Sequence, residues 1–192
     1  MDFARLKQHT QSQHDRLEAH PLTAQLMQDT LTTATYLHIL QAFYGYYAAI
    51  EQQLVQWEEE LPMLDLPQRY KAQLLLNDIQ YLNPTVSAAH IRLCDDVPLC
   101  HTPANVFGCV YVLEGATLGG QIISRRLAKQ LEISPGEGLS FFKGYGAKTG
   151  PLWMAFRQVV TDCVQDTQTE VAVIDAARRT FDTFEAWLTN YG

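Results

Sequence analysis

Glu114-Gly115-Ala116-Thr117-Leu118-Gly119-Gly120-Gln121 lies within a stretch of helical period, and its three glycines govern how the rest of the chain is read. Each interior glycine costs a helix about 0.5–1 kcal/mol relative to alanine. In exchange it leaves backbone that another object can approach closely, either a neighbouring helix or a flat ligand. The helix is expected from about Ala104 to Leu131, with Gly115 and Gly119 one turn apart and Gly120 beside them. A nucleotide-binding fingerprint is excluded, because these glycines sit inside a helix instead of opening one after a strand. Spacing alone leaves close helix packing and a ligand-facing surface both open.

The helical period continues on either side. Tyr36, Leu40, Phe43, Tyr47, Ile50, Leu54, Trp57 and Leu61 recur at steps of four and three, lining one face of a long helix. Ile174, Ala177, Phe181, Phe184, Leu188 and Tyr191 repeat the pattern near the C-terminus. Asn83-Pro84, Thr102-Pro103 and Thr149-Gly150-Pro151 read as helix starts, each with a capping side chain just before a proline that a first turn tolerates. The stretches 61–67 and 132–138 break the period and read as loops, and no sustained alternation marks a strand. The expected fold is an all-α bundle of about seven or eight helices in one domain spanning residues 1–192.

Fourteen Lys and Arg against 21 Asp and Glu, a net charge of -7, argue against nucleic acid or an anionic membrane as the main partner. The first residues carry an acid and precede no apolar leader segment, and no apolar run approaches the ~18 residues of a membrane span, so a cytoplasmic location is expected. Cys94, Cys100, Cys109 and Cys163 lack a Cys-x-x-Cys spacing and read as free buried thiols.

In the first helix, from about Phe3 to Ala19, an inner face drawn at ~100° per residue holds Phe3, Leu6, Thr10 and Leu17. His14 falls on the edge of that face, His9 points to the side and His20 precedes Pro21. A neutral imidazole on a rigid helix is a standard axial ligand for heme iron. A histidine in this position equally suits a hydrogen bond at a helix interface, and periodicity does not choose between the two.

Several segments together carry a resemblance. Thr10-Gln11-Ser12-Gln13-His14, Tyr44-Gly45-Tyr46-Tyr47-Ala48-Ala49-Ile50-Glu51, the glycine helix through Gln121, and Gly138-Leu139-Ser140-Phe141-Phe142 occur in the order and approximate spacing of the heme oxygenase family. Val112-Leu113-Glu114-Gly115, the run Phe141 to Gly146 and Thr149-Gly150-Pro151-Leu152-Trp153 look most like the bacterial branch associated with phytochromes. The resemblance implies an all-α fold and an enzyme that degrades heme to biliverdin, carbon monoxide and ferrous iron, using dioxygen and external electrons. It implies His14 as the proximal iron ligand and Gly115, Gly119 and Gly120 as the distal cover. It also implies Tyr44 and Thr117 in the distal hydrogen-bond network, and Lys7, Ala116, Phe142 and Arg157 around the ring and its propionates. Arg125 and Lys129 match positions that dock the electron donor, and a basic patch on an acidic protein suits a ferredoxin-like or reductase partner. Hand-off of biliverdin to a phytochrome follows from the same branch.

One departure bears on the chemistry. Vertebrate-type members carry an aspartate where this chain has Ala116, so proton delivery falls to Thr117, Tyr44, Glu114 or backbone groups. Two alternatives share the architecture: a non-catalytic heme carrier or sensor, kept open by Ala116, and a thiaminase-like small-molecule enzyme, which would need an activated cysteine.

Overall fold

In the computed structural model, which describes residues 1–133 and 137–191, the regular structure of the described residues is entirely helical. Asp2 starts the first helix, α1 (Phe3–Ala19), by accepting hydrogen bonds from the backbone N–H of Ala4 at 2.8 Å and of Arg5 at 3.3 Å. A single turn, α2 (Pro21–Ala24), and the 3₁₀ turn Gln25–Met27 lead to α3 (Thr33–Leu54), capped by Thr32. The apolar stripe begun at Tyr36 leaves the α-helix at Leu54 and continues through the 3₁₀ turn Val55–Trp57, where Trp57 Nε1 donates to the Cys100 carbonyl at 2.8 Å.

The segment expected as a loop at 61–67 instead folds into the 3₁₀ turn Pro62–Leu64 and the single-turn α4 (Leu66–Arg69). Asn83-Pro84 does not start a helix. Asn83 terminates α5 (Ala72–Leu82), and its side chain accepts from the N–H and hydroxyl of Thr85, the turn-forming habit that competes with capping. Thr102 does cap α6 (Pro103–Gln130), with Asn105 closing a reciprocal capping box and Pro103 in the first turn. After α7 (Ser140–Lys143), α8 (Thr149–Cys163) begins without the side-chain cap expected from Thr149, whose Oγ1 instead accepts from Gln121 Nε2, and Asp166 caps α9 (Thr167–Asn190). Of the period-breaking stretch 132–138, residues 134–136 lie outside the described residues.

Helix α6 packs along α9, α1 lies against the same α9, and α3 packs on α5. Gly108 permits the α6–α9 approach: a Cβ there would sit 2.6 Å from the Ala176 Cβ and 2.6 Å from the Val173 carbonyl oxygen. The core runs through Tyr36, Ile39, Leu40, Tyr46 and Ile50 of α3, Val106 and Cys109 of α6, and Val173 and Ala177 of α9. Although no long apolar run stood out in the sequence, α6 alone among the described helices has the length and composition to cross a membrane. The bundle buries 56% of the most apolar 18-residue window of that helix, so much of its apolar surface packs inside the protein. Cys94, Cys100 and Cys109 are buried free thiols, whereas Cys163, expected inside, is exposed.

Candidate active site

Helices α1 and α6 face each other across a cleft of about 1010 Å³, which α8 helps to wall with Trp153 and Arg157. Its floor is aromatic, with Phe43 and Tyr47 from α3, Phe141 and Phe142 from α7, and Phe181 and Phe184 from α9. Asp78, buried in α5, sets the α7 pair by accepting from the N–H groups of Ser140 and Phe141 at 2.8 Å each. The volume stands at the upper end of the ~300–1,000 Å³ usual for small-molecule sites, and an aromatic lining of this extent suits a large, flat, apolar ligand.

The α1 wall carries His14. Its side chain is 50% exposed because it projects into the open cleft, with Nε2 3.7 Å from Glu18 Oε1 and Nδ1 3.7 Å from Asp15 Oδ1. The Phe181 ring meets it edge-on at 6.1 Å between centroids. Lys7 and Thr10 share this wall, and Thr10 donates to the Leu6 carbonyl at 2.9 Å. Leu17 is half-buried and faces the cleft, and Gln13 takes the buried place beside Thr10.

The α6 wall separates the glycines by role. A Cβ added at Gly115 or at Gly119 would meet nothing within 4 Å, so neither residue serves helix packing and both leave bare backbone on the cleft. Gly120 faces the other way, and a Cβ there would sit 2.5 Å from the Phe142 carbonyl oxygen, which makes it the packing glycine. Ala116 presents its methyl to the cleft, while Thr117 turns inward and donates from Oγ1 to the Glu114 carbonyl at 2.6 Å.

Of the expected site residues, His14, Lys7, Gly115, Ala116, Gly119, Phe142 and Arg157 come together around the cleft, whereas Gly120, Thr117 and Tyr44 do not line it. Glu114, the other expected proton carrier, is also turned away, with both carboxylate oxygens engaged in the interior. Tyr47, one turn beyond Tyr44, is the α3 tyrosine that reaches the cleft; it lies on the apolar stripe read from the sequence, whereas Tyr44 lies off it. Burial, followed by the nearby Glu51 and Glu114 carboxylates, pushes the Tyr47 phenol well above its usual range, so it stays a neutral donor. Tyr111 and Glu18, also unassigned from sequence, line the cleft as well. Arg125 and Lys129 are exposed on the C-terminal half of α6, outside the cleft.

These residues fit a metalloporphyrin. An accessible imidazole faces a wall stripped of side chains at Gly115 and Gly119, over an aromatic floor. Arg157 lines the cleft with its Nε buried and without a hydrogen-bond partner among the described residues, and Lys7 adds a second cation suited to ring carboxylates. No cysteine lines the cleft, which removes the nucleophile that a thiaminase-like enzyme would need there.

Comparison with known proteins agrees with this geometry. The heme oxygenase family model matches residues 2–190. A heme oxygenase of Xanthomonas campestris pv. campestris (strain 8004) is 28% identical over 166 residues, covering 85% of this chain and 94% of that protein. Among solved structures, the heme oxygenase of Leptospira interrogans superposes with a TM-score of 0.80 at 19% identity, over 96% of each chain. Heme oxygenase-1 of the cyanobacterium Synechocystis sp. PCC6803, solved in complex with heme, superposes with a TM-score of 0.78 at 16% identity, over 97% of this chain and 90% of that one. At such identities the structural likeness establishes the fold alone, while the family match spans nearly the whole chain. The chain belongs to the heme oxygenase family, oxidoreductases that degrade heme.

Proposed function

We propose that this chain, as a single domain over residues 1–192, converts heme to biliverdin, carbon monoxide and ferrous iron, with dioxygen and electrons from a separate donor. The observation that carries the reading is His14 standing opposite the two glycines whose missing side chains open onto one aromatic cleft. Bound heme supplies the redox-active iron and the ring that is consumed.

The chain's own residues divide the remaining work. His14 would offer an imidazole nitrogen to the iron, with the Glu18 carboxylate 3.7 Å from its Nε2. Lys7 and Arg157 provide the positive charge that holds the substrate's carboxylates toward one side of the cleft. Gly115 and Gly119 let the α6 backbone come close enough to restrict space above the ring, favouring attack at its edge. Ala116 contributes no acid, so hydrogen bonding on this wall falls to backbone N–H groups and water drawn to them. A peroxidase needs a distal acid–base side chain to split the O–O bond heterolytically. The α6 wall has none, which directs oxidation to the ring itself.

Exposed Arg125 and Lys129 suit an acidic ferredoxin-like or reductase donor, the expected setting is the cytoplasm, and the phytochrome-associated branch makes a phytochrome the natural recipient of biliverdin. The test is a hemin titration of the purified apoprotein, followed by ascorbate, or ferredoxin with its reductase, under air. Loss of the Soret band with growth of a biliverdin spectrum is expected, and His14→Ala should abolish turnover while leaving the far-ultraviolet helical signal intact. Unchanged turnover in that variant would reject the ligand assignment. Ala116 favours one second reading, a heme carrier or sensor, which a stable His14-dependent heme spectrum under reductant would reveal.

A further inference from the structure

The glycine wall poses a mechanical problem. On its cleft side, a Cβ added at Gly115 or Gly119 would meet nothing within 4 Å, so no packing there fixes where this stretch of α6 lies. Its position must be set from behind.

Behind it runs the turn between α7 and α8, and the two are joined at both ends of the glycine segment. At the near end, Glu114 Oε1 accepts from the Tyr145 hydroxyl at 2.6 Å and from Lys71 Nζ at 2.9 Å, while Oε2 accepts from Arg69 Nη1 at 2.8 Å. At the far end, Gln121 Nε2 donates to the Gly146 carbonyl at 2.6 Å and to Thr149 Oγ1 at 3.2 Å. Between these two ties, Gly120 lies directly against the Phe142 carbonyl. Tyr145 is held in place by its neighbours: Gly144 and Gly146 take φ values of 53° and 58°, backbone that a side chain would strain, and Lys71 Nζ donates to the Tyr145 hydroxyl at 2.6 Å.

The near tie is not explained by stability. Glu114 and Lys71 are each 1% exposed and Arg69 6%, and the cost of desolvating such charges commonly cancels their attraction. Burial lowers the pKa of Lys71 even against the pull of Glu114. What a buried, multiply hydrogen-bonded charge does provide is one defined geometry, here enforced on the residue next to Gly115.

We propose that Glu114 and Gln121, pinned to the 140–149 turn through Tyr145 and Gly146, are positioning residues that set the height and tilt of the Gly115–Gly119 backbone over the substrate, and with them the rate and meso-edge selectivity of ring cleavage. Neither residue touches the substrate; both act through α6. The inference rests on the oxygenase reading above.

The test compares the full-length wild type with a Tyr145→Phe/Gln121→Ala double variant and with Glu114→Gln. The readouts are melting temperature, hemin affinity, ascorbate-supported rate, the biliverdin isomer formed, and amide exchange along residues 113–121. The double variant leaves every buried charge paired but takes from Lys71 one of its three acceptors, so it is expected to melt a few degrees lower while staying folded and binding hemin like the wild type. Its turnover should fall about 10- to 100-fold or its isomer ratio change, and exchange at Gly115–Gly119 should quicken about tenfold. Rate and isomer ratio within about twofold of wild type, with unchanged exchange, overturn the proposal. If the wild type binds hemin without degrading it, the oxygenase reading has failed instead. Amide exchange on the hemin-bound protein then decides this one, faster exchange in the double variant supporting it and equal exchange overturning it. Should Glu114→Gln fail to fold, the double variant carries the test alone.

Discussion

Gly119 and Gly120 are neighbours in sequence with opposite surroundings, and substitution should separate them by sign. At Gly119 an added methyl meets nothing, so Gly119→Ala should stabilise the apoprotein by about 0.5–1 kcal/mol through helix propensity while weakening hemin binding. At Gly120 the methyl would collide with the Phe142 carbonyl, and Gly120→Ala should destabilise by about 1–3 kcal/mol. Urea unfolding of both variants checks this, and equal shifts would contradict the assigned roles. Glu51 makes a second residue-scale prediction. It is buried where it caps the start of α5, accepting from the N–H groups of Lys71 and Ala72, and burial pushes its carboxyl up to about 7 from the usual 4.5. Because the folded-state value is raised, the folded protein holds this proton more tightly than the unfolded chain does. The contribution is therefore full below pH 4.5 and is lost as pH rises through 7, by up to about 3 kcal/mol. Relative to Glu51→Gln, the wild type should lose stability across that window, measured by urea midpoints at pH 4.5, 6 and 8.

Among the elements, α6 performs two tasks along its length. Its first half is a core helix, with Val106, Gly108 and Cys109 packed toward α9; its second half carries the bare glycine wall and then the exposed Arg125 and Lys129. Charge reversal at those two cations, Arg125→Glu with Lys129→Glu, should slow ferredoxin-supported turnover about tenfold at low salt and leave ascorbate-supported turnover unchanged, because only the protein donor must dock. Equal rates with both reductants would place the donor elsewhere. The bounds of α1 and α6 were legible in the sequence, α1 from its periodicity and α6 because cap and periodicity agreed there. Asn83-Pro84 misled because asparagine serves a turn as readily as a cap, and the 61–67 segment misled because two prolines disguised two short helical turns.

At the scale of the molecule, the open cleft leaves apolar surface in water, including Met27 at 52%, Leu118 at 47% and Ile122 at 61% exposed. Hemin should cover part of this surface. At 1,000 times its dissociation constant, a ligand bound only by the folded state adds about 4 kcal/mol, so the holoprotein should melt well above the apoprotein and bind less of a hydrophobic dye. An unchanged melting temperature would mean that hemin does not bind the native cleft.

By itself the sequence determined an all-helical chain, the register of its long helices, a histidine at the edge of α1 and a cluster of glycines in α6, because 3.6-residue periodicity and capping chemistry are local. Only the tertiary structure decided which glycines face the cleft and which pack. Only the tertiary structure, likewise, brought Glu114 to Arg69, Lys71 and Tyr145. Those outcomes depend on what lies across from each residue, and the partners stand 31 to 45 positions away from Glu114 along the chain.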